Sequence, residues 1–228
     1  MRIARLFVAA SLAALASSPL SAQDADRSVK DGGVKVSGWK ARIDRKAAGA
    51  GKTVNDSKFS GDAKTGYRAS VGPAGNFWNP ANVAKGDYEV KATFKELKMA
   101  ASHPHSYGIF IGGADLESDN ETLMYCIAYG NGTYAIKTFH GANVQTLVRP
   151  TEHAALKKAD ANGEATNTIG WRVKGGKASC VINGTEVKSF DKSEVVTADK
   201  LNSLDGVYGF RVSHNLELQI SPITLTKP

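Results

Sequence analysis

From Val34 onward the chain alternates short runs of β-branched and aromatic residues with Gly, Asn and Asp, the spacing from which antiparallel sandwiches and barrels are built. Long amphipathic helical periods do not occur. The best helical stretch, Thr151–Ala161 (TEHAALKKADA), predicts one short helix on a β scaffold with Thr151 as its N-cap. Residues 23–33 (QDADRSVKDGG) are polar and glycine-ended, which reads as a flexible N-terminal tail ahead of a single β-domain over residues 34–228.

Turn residues organise these runs into hairpins. Asn-Gly tolerates the positive φ values that two-residue hairpin loops demand, and it occurs at Asn131-Gly132 and Asn183-Gly184. With Gly175-Gly176 as a further turn, Ile169–Lys174 joins the second hairpin into a three-strand meander. Pairing through these turns sets Val173 opposite Ala178, Trp171 opposite Cys180 and Ile169 opposite Ile182, with Val187 facing Cys180 from the next strand. Arg172, Lys174, Ser179 and Lys188 then share the other face, so Cys180 points into the core. In the first hairpin the same treatment puts Tyr125, Ile127, Tyr129, Tyr134 and Ile136 on one face, with Cys126 beside Lys137 on the other. Although a secreted chain with two cysteines invites a disulfide, opposed directions predict two free thiols, because a bridge needs converging Cβ vectors and Cα atoms within about 7 Å.

The N-terminus changes the picture of where this domain works. Arg2 and Arg5 precede an apolar run from Leu6 to Ala16 and then small residues up to Ala22, the pattern of a secretory signal peptide over residues 1–22. The run is too short for the roughly twenty residues of a membrane-spanning helix. A periplasmic or secreted protein without a membrane span is the expectation. Removing the leader, with its two arginines, lowers the formal net charge from +7 to +5. The remaining Lys and Arg are scattered singly and in pairs, which argues against a nucleic-acid-binding stripe.

The segments GDYEVKATF (Gly86–Phe94), SYGIFIGG (Ser106–Gly113), YCIAYGNGTYAIKTFHG (Tyr125–Gly141), NTIGWRVKGGKASCVINGTEV (Asn167–Val187) and DGVYGFRVSHNLELQISPITL (Asp205–Leu225) together resemble the concanavalin A-like lectin/glucanase superfamily. The likeness is nearest to its secreted bacterial branch, beside laminin-G-like and 3-keto-disaccharide hydrolase-type domains. It implies an all-β, two-sheet antiparallel jelly-roll sandwich with at most one or two short helices. Its members include sugar binders, sugar-cleaving enzymes and domains with neither activity, so the shared fold assigns no activity by itself.

Candidate chemistry is sparse. Glu117–Glu121 (ESDNE) echoes the Glu-x-Asp-x-Glu strand of jelly-roll glucanases, where alternation aims carboxylates into a cleft for retaining hydrolysis. The polar Ser118 and Asn120 between them read instead as a loop, so no catalytic residue is assigned. Asp115, Glu117 and Asp119 in that loop are candidate oxygen ligands for calcium. Gly49–Thr53 (GAGKT) lacks the first glycine and the strand-to-helix setting of a phosphate loop. His103 and His105 could hold zinc or copper if another ligand arrived, and no local motif supplies one. Sugar binding needs an exposed aromatic ring beside polar groups. Trp78, in the loop-like NFWNP stretch, meets the first need, and Lys137 with Arg211 on a polar sheet face meets the second. The reading that results is an exported lectin-like module that binds a glycan without cleaving it. Two alternatives stay open: a sugar-cleaving enzyme of the 3-keto-disaccharide hydrolase or glucanase type, and a structural or adhesive domain with no small ligand.

Overall fold

The computed structural model describes residues 24–227; the expected signal peptide, residues 1–22, lies outside them. Sixteen strands and two short helices are found among the described residues. In chain order they are β1 (Gly33–Val34), β2 (Lys40–Ile43), α1 (Arg45–Gly49), β3 (Lys58–Asp62), β4 (Gly66–Ser70), β5 (Gly75–Ala84), β6 (Tyr88–Glu96), β7 (Ser106–Ala114) and β8 (Thr122–Tyr129). Then come β9 (Thr133–His140), β10 (Asn143–Glu152), β11 (Ala165–Lys174), β12 (Lys177–Ile182), β13 (Thr185–Asp191), α2 (Lys192–Val195), β14 (Gly206–Val212), β15 (Glu217–Ile220) and β16 (Thr224–Thr226). They form two stacked sheets. One is nine-stranded, ordered β1-β3-β4-β15-β6-β11-β12-β13 with β16 also on β6, and the other is seven-stranded, ordered β10-β9-β8-β7-β14-β5-β2. All pairings within the two sheets are antiparallel except β1 with β3. The strand pattern predicted a sandwich or barrel, and this is the two-sheet jelly-roll sandwich that the resemblance implied.

The space between the sheets holds the main core. Trp171, fully buried on β11, donates its indole N–H to the Ile109 carbonyl on β7 at 3.1 Å, so the largest core residue also bridges the layers. At the other side Trp39, Phe59, Tyr67, Phe77 and Phe210 pack ring on ring, with Trp39 stacked on Phe210 at 5.3 Å and Phe59 on Phe77 at 5.1 Å. The five rings come from both sheets and from the chain entering β2, so their packing joins the two layers on that flank.

The predicted meander is present with its β11–β12 register intact: Ile169 faces Ile182, Trp171 faces Cys180 and Val173 faces Ala178. Asn183 and Gly184 both take positive φ, 51° and 84°, as a two-residue hairpin turn requires. Against β13 a bulge between Cys180 and Val181 shifts the pairing by one place, so Lys188 rather than Val187 stands opposite Cys180.

The first hairpin differs from expectation by one residue, with a large consequence. The turn at Asn131-Gly132 is wider than two residues: the Gly132 N–H donates to the Tyr129 carbonyl at 3.1 Å, and the first strand pair is Ala128 with Tyr134. A one-residue slip moves every side chain of one strand to the other face of its partner. Tyr134 and Ile136 therefore share the inner face with Cys126 and Ala128, while Tyr125 and Ile127 face outward with Lys137. Cys126 thus points at Cys180, and the two are joined in a disulfide with Cα atoms 6.2 Å apart, so the expectation of free thiols is overturned.

The expected helix over Thr151–Ala161 is also absent. Thr151 and Glu152 finish β10, pairing with Tyr134 and Thr133. The following turns are held by side-chain amides: Asn167 bonds both the N–H and the carbonyl of Lys157, and Asn183 donates to the Ala155 carbonyl. Leu156 is buried in the core by this arrangement. Among the described residues no helix is long and apolar enough to cross a membrane.

Candidate functional site: a histidine-rimmed pocket on the seven-stranded sheet

The outward face of the seven-stranded sheet is apolar in part. Trp78, Phe110, Leu116, Leu123, Tyr125, Ile127, Ala135 and Phe139 form a second buried cluster, separate from the inter-sheet core. On top of it lies Arg211, its guanidinium 5.4 Å above the Tyr125 ring and 5.2 Å above Phe139. Asp44, the residue before α1, clamps that guanidinium with two bonds of 2.5 and 2.6 Å. Burial by itself disfavours the Arg211 charge, and the Asp44 carboxylate more than offsets it, holding the guanidinium above its ordinary range.

Beside this pair opens a cavity of about 490 Å³. Its floor is sheet: Tyr125, Ile127 and Tyr129 of β8, Lys137 of β9 and Arg211 of β14. Its rim is made of α1, the Asp24–Asp26 segment, His103–Ser106 and His214. Burial, then the neighbouring Arg211, hold the Lys137 ammonium below its usual lysine range, and among the described residues that ammonium has no hydrogen bond or ion pair. Burial pushes the Tyr125 phenol up to about 12, and that of Tyr129 in the same direction.

The rim brings together three imidazoles. His103, His105 and His214 each offer a nitrogen within 4.8 Å of the others, and among the described residues they are the one group of three or more His, Cys, Asp or Glu side chains so gathered. Sequence reading supplied His103 and His105 and found no third ligand. The partner is His214, more than a hundred positions away, delivered by strand register: β7 and β14 pair Tyr107 with Val212, and the Ser213 N–H donates to the Ser106 carbonyl at 2.8 Å, so continuing the ladder sets His105 beside His214. Burial, then the charges of His214 and His103, push the His105 imidazole down to about 4. His214 Nδ1 lies 2.9 Å from the Asp26 carboxylate.

Asp26 comes from the segment expected as a tail. Arg27 next to it bonds the carbonyls of Val71 and Leu216 and the Glu217 carboxylate, and Asn215 donates to the Ala25 carbonyl. Residues 25–27 are therefore stitched to the turn between β14 and β15.

Of the site residues proposed from sequence, Lys137 and Arg211 line this cavity together. Trp78 does not. The NFWNP stretch is the start of β5 rather than a loop, and Trp78, facing Gly209 with Phe110 and Leu116 around it, is 2% exposed. It borders a separate hollow of about 320 Å³ with Pro80, Gly113 and Leu116. The acidic residues do form a loop, between β7 and β8. There Glu117 is paired with Lys40 at 2.6 Å, Asp119 with Arg42 at 2.5 Å, and Asp115 occupies the turn at φ 51°. Glu121 is buried close to Arg42, and burial raises its carboxyl above the usual range. The three carboxylates of ESDNE are thus spread over a loop and tied to basic residues of β2 and α1, not lined up along a strand.

Against solved structures the chain matches the carbohydrate-binding module CBM66 from Bacillus subtilis over 85% of its own length and 98% of that chain, with TM-score 0.52 and 10% identity. It matches a Bacillus subtilis protein of unknown function with a galectin-like fold at TM-score 0.54 and 12% identity, covering 83% of this chain and 89% of that one. A Bacteroides ovatus mixed-linkage glucan GH16 protein, solved with a glucan product, gives TM-score 0.54 and 8% identity over 82% and 94%. No family model matches the chain, and no curated protein does. The fold is the concanavalin A-like jelly roll.

Proposed function

We propose that this protein is an exported lectin-like module that binds glycans in the cavity on the outward face of its seven-stranded sheet. The observation that carries the reading is the convergence there of Lys137, whose ammonium has no hydrogen bond or ion pair among the described residues, with the rings of Tyr125 and Tyr129 beside the clamped Arg211. Sugars present hydroxyls that accept from such cations and apolar ring faces that rest on aromatic rings. Two of the structural neighbours are, by their names, a carbohydrate-binding module and a glucan-complexed protein, which supports the same reading. Export rests on the N-terminal leader pattern.

The test is a titration of neutral and acidic oligosaccharides against the protein and its Lys137→Ala and Tyr129→Ala variants. Loss of tenfold or more in affinity in either variant is the expected result. No binding across the panel, or binding unmoved by both substitutions, would sink the assignment. A sugar-cleaving reading has one observation in its favour, the meeting of carboxylates (Asp26, Asp44) and histidines in a single groove. Release of reducing sugar from disaccharides or their 3-keto forms, abolished in His105→Ala, would favour it.

A further inference from the structure

We infer that His103, His105 and His214 form a binding site for one zinc ion. The inference is independent of the glycan reading, since it rests on the imidazoles and the Asp26 carboxylate beside them and not on Lys137, Tyr125 or Tyr129.

Zinc takes imidazole nitrogens at roughly 2.0–2.1 Å in tetrahedral sites, which puts ligand atoms about 3.3 Å apart. The three nitrogens already lie within 4.8 Å of one another, with ring centroids of His105 and His214 4.2 Å apart and of His103 and His105 5.0 Å apart. Closing the remaining gap asks for movement chiefly of His103, which is exposed and lies in a turn ahead of β7, while the two buried rings are fixed by the β7–β14 ladder.

Three further features fit a cation. First, His105 is 4% exposed, yet its Nε2 has no hydrogen-bond partner among the described residues, and a buried polar atom without a partner costs about 1–3 kcal/mol unless something fills the role. Second, Asp26 holds His214 Nδ1, the carboxylate–histidine arrangement that fixes ring direction and tautomer and leaves the opposite nitrogen to face the metal. Third, both cysteines are consumed in the Cys126–Cys180 bridge, so among the described residues no thiolate competes for a soft cation. Three imidazoles with no thiolate suit zinc better than calcium or magnesium, which prefer oxygen.

Three protein ligands leave a fourth position, as catalytic rather than structural zinc sites do. Here that position opens on the cavity floored by Tyr129 and Lys137. A water molecule or a hydroxyl or carboxylate oxygen of a bound ligand would complete the shell. The acidic side chains of Asp24 and Asp26 on the same rim offset the added positive charge.

The test is zinc uptake by the untagged, chelator-stripped protein, with no sugar present, followed by equilibrium dialysis and calorimetry. One zinc per chain is expected. His103→Ala, which alters an exposed residue and leaves the fold intact, and His214→Ala should each weaken binding by on the order of 100-fold, and Asp26→Asn by about 10- to 100-fold. His140→Ala and His153→Ala, outside the trio, should change nothing. Absence of stoichiometric uptake, or uptake unmoved by His103→Ala and His214→Ala in folded protein, would overturn the assignment. Zinc binding that survives while Lys137→Ala loses its sugar affinity would separate the two sites' roles.

Discussion

The two sheets solve the same packing problem with different alphabets. In the nine-stranded sheet β6 alternates strictly and β11 does so except at the buried Gly170, burying Tyr88, Val90, Ala92 and Phe94 and turning Lys91, Arg172 and Lys174 to the outside. In the seven-stranded sheet β7 and β8 are buried almost throughout, because the inter-sheet core lies on one side and the Trp78–Tyr125–Phe139 cluster on the other. A face that must meet water carries its own address in the sequence, whereas a strand wrapped on both sides does not. The cavity sits on the sheet whose address is missing.

The sharpest way to break this contrast is to cut the link between the sheets. Reducing the disulfide, or replacing both cysteines by alanine, frees a separation of 54 residues and should lower stability by about 4 kcal/mol in urea melts on the chain-entropy view. Thiol titration of the denatured, unreduced protein should find no free thiol.

Glu96 is the exception within the orderly sheet. It continues the inward series of β6 and is fully buried, with neither carboxylate oxygen hydrogen-bonded among the described residues. Burial pushes its carboxyl up to about 7. The folded state therefore holds a proton that the unfolded chain releases near 4.5, so stability is full below pH 4.5 and declines as pH rises toward 7, by up to roughly 3 kcal/mol. Glu96→Gln should remove that slope. A wild-type melting temperature that climbs steadily from pH 5 to 8 would contradict the assignment.

On the outward face of the seven-stranded sheet, Asp44→Ala should leave the Arg211 guanidinium buried without its counter-charge. A loss of about 2 kcal/mol is expected, below the range for a fully buried pair because the Asp44 side chain is 32% exposed. The corresponding cut on the solvated face of the other sheet is Arg172→Ala, which removes the ion pair to Glu89. It should change stability by no more than about 0.5–1 kcal/mol and less at high salt. If the two substitutions cost the same, the distinction between the sheets fails at their surfaces.

These differences also explain what the sequence disclosed. Trp171, Val173, Cys180 and Ile182 alternate with Arg172, Lys174 and Ser179, and their register was readable. The outward direction of Arg211 and the inward one of Tyr208, Phe210 and Val212 were readable for the same reason. Around Cys126 every neighbour is apolar, so nothing but the width of the Tyr129–Gly132 turn decided the facing, and that width depends on how the chain closes at Gly132. Trp78 looked loop-borne because Asn79 and Pro80 follow it. Those residues bulge out of β5, since the pairing with β14 jumps from Gly209–Trp78 to Val207–Val83. The meeting of His105 and His214 rests on strands far apart in the chain, a contact no local pattern encodes. Asp26 could be placed only once Arg27 was seen to be anchored.

The sulfur bridge joins β8 to β12, beside the β13 margin of one layer, while the opposite flank is packed by the rings of Trp39, Phe59, Tyr67, Phe77 and Phe210. The two layers are bound like the boards of a book, with a covalent spine along one side and an aromatic clasp along the other. With the bridge intact the layers cannot part at the spine without breaking a covalent bond, whereas the clasp, where β2 to β5 meet, is held by noncovalent contacts.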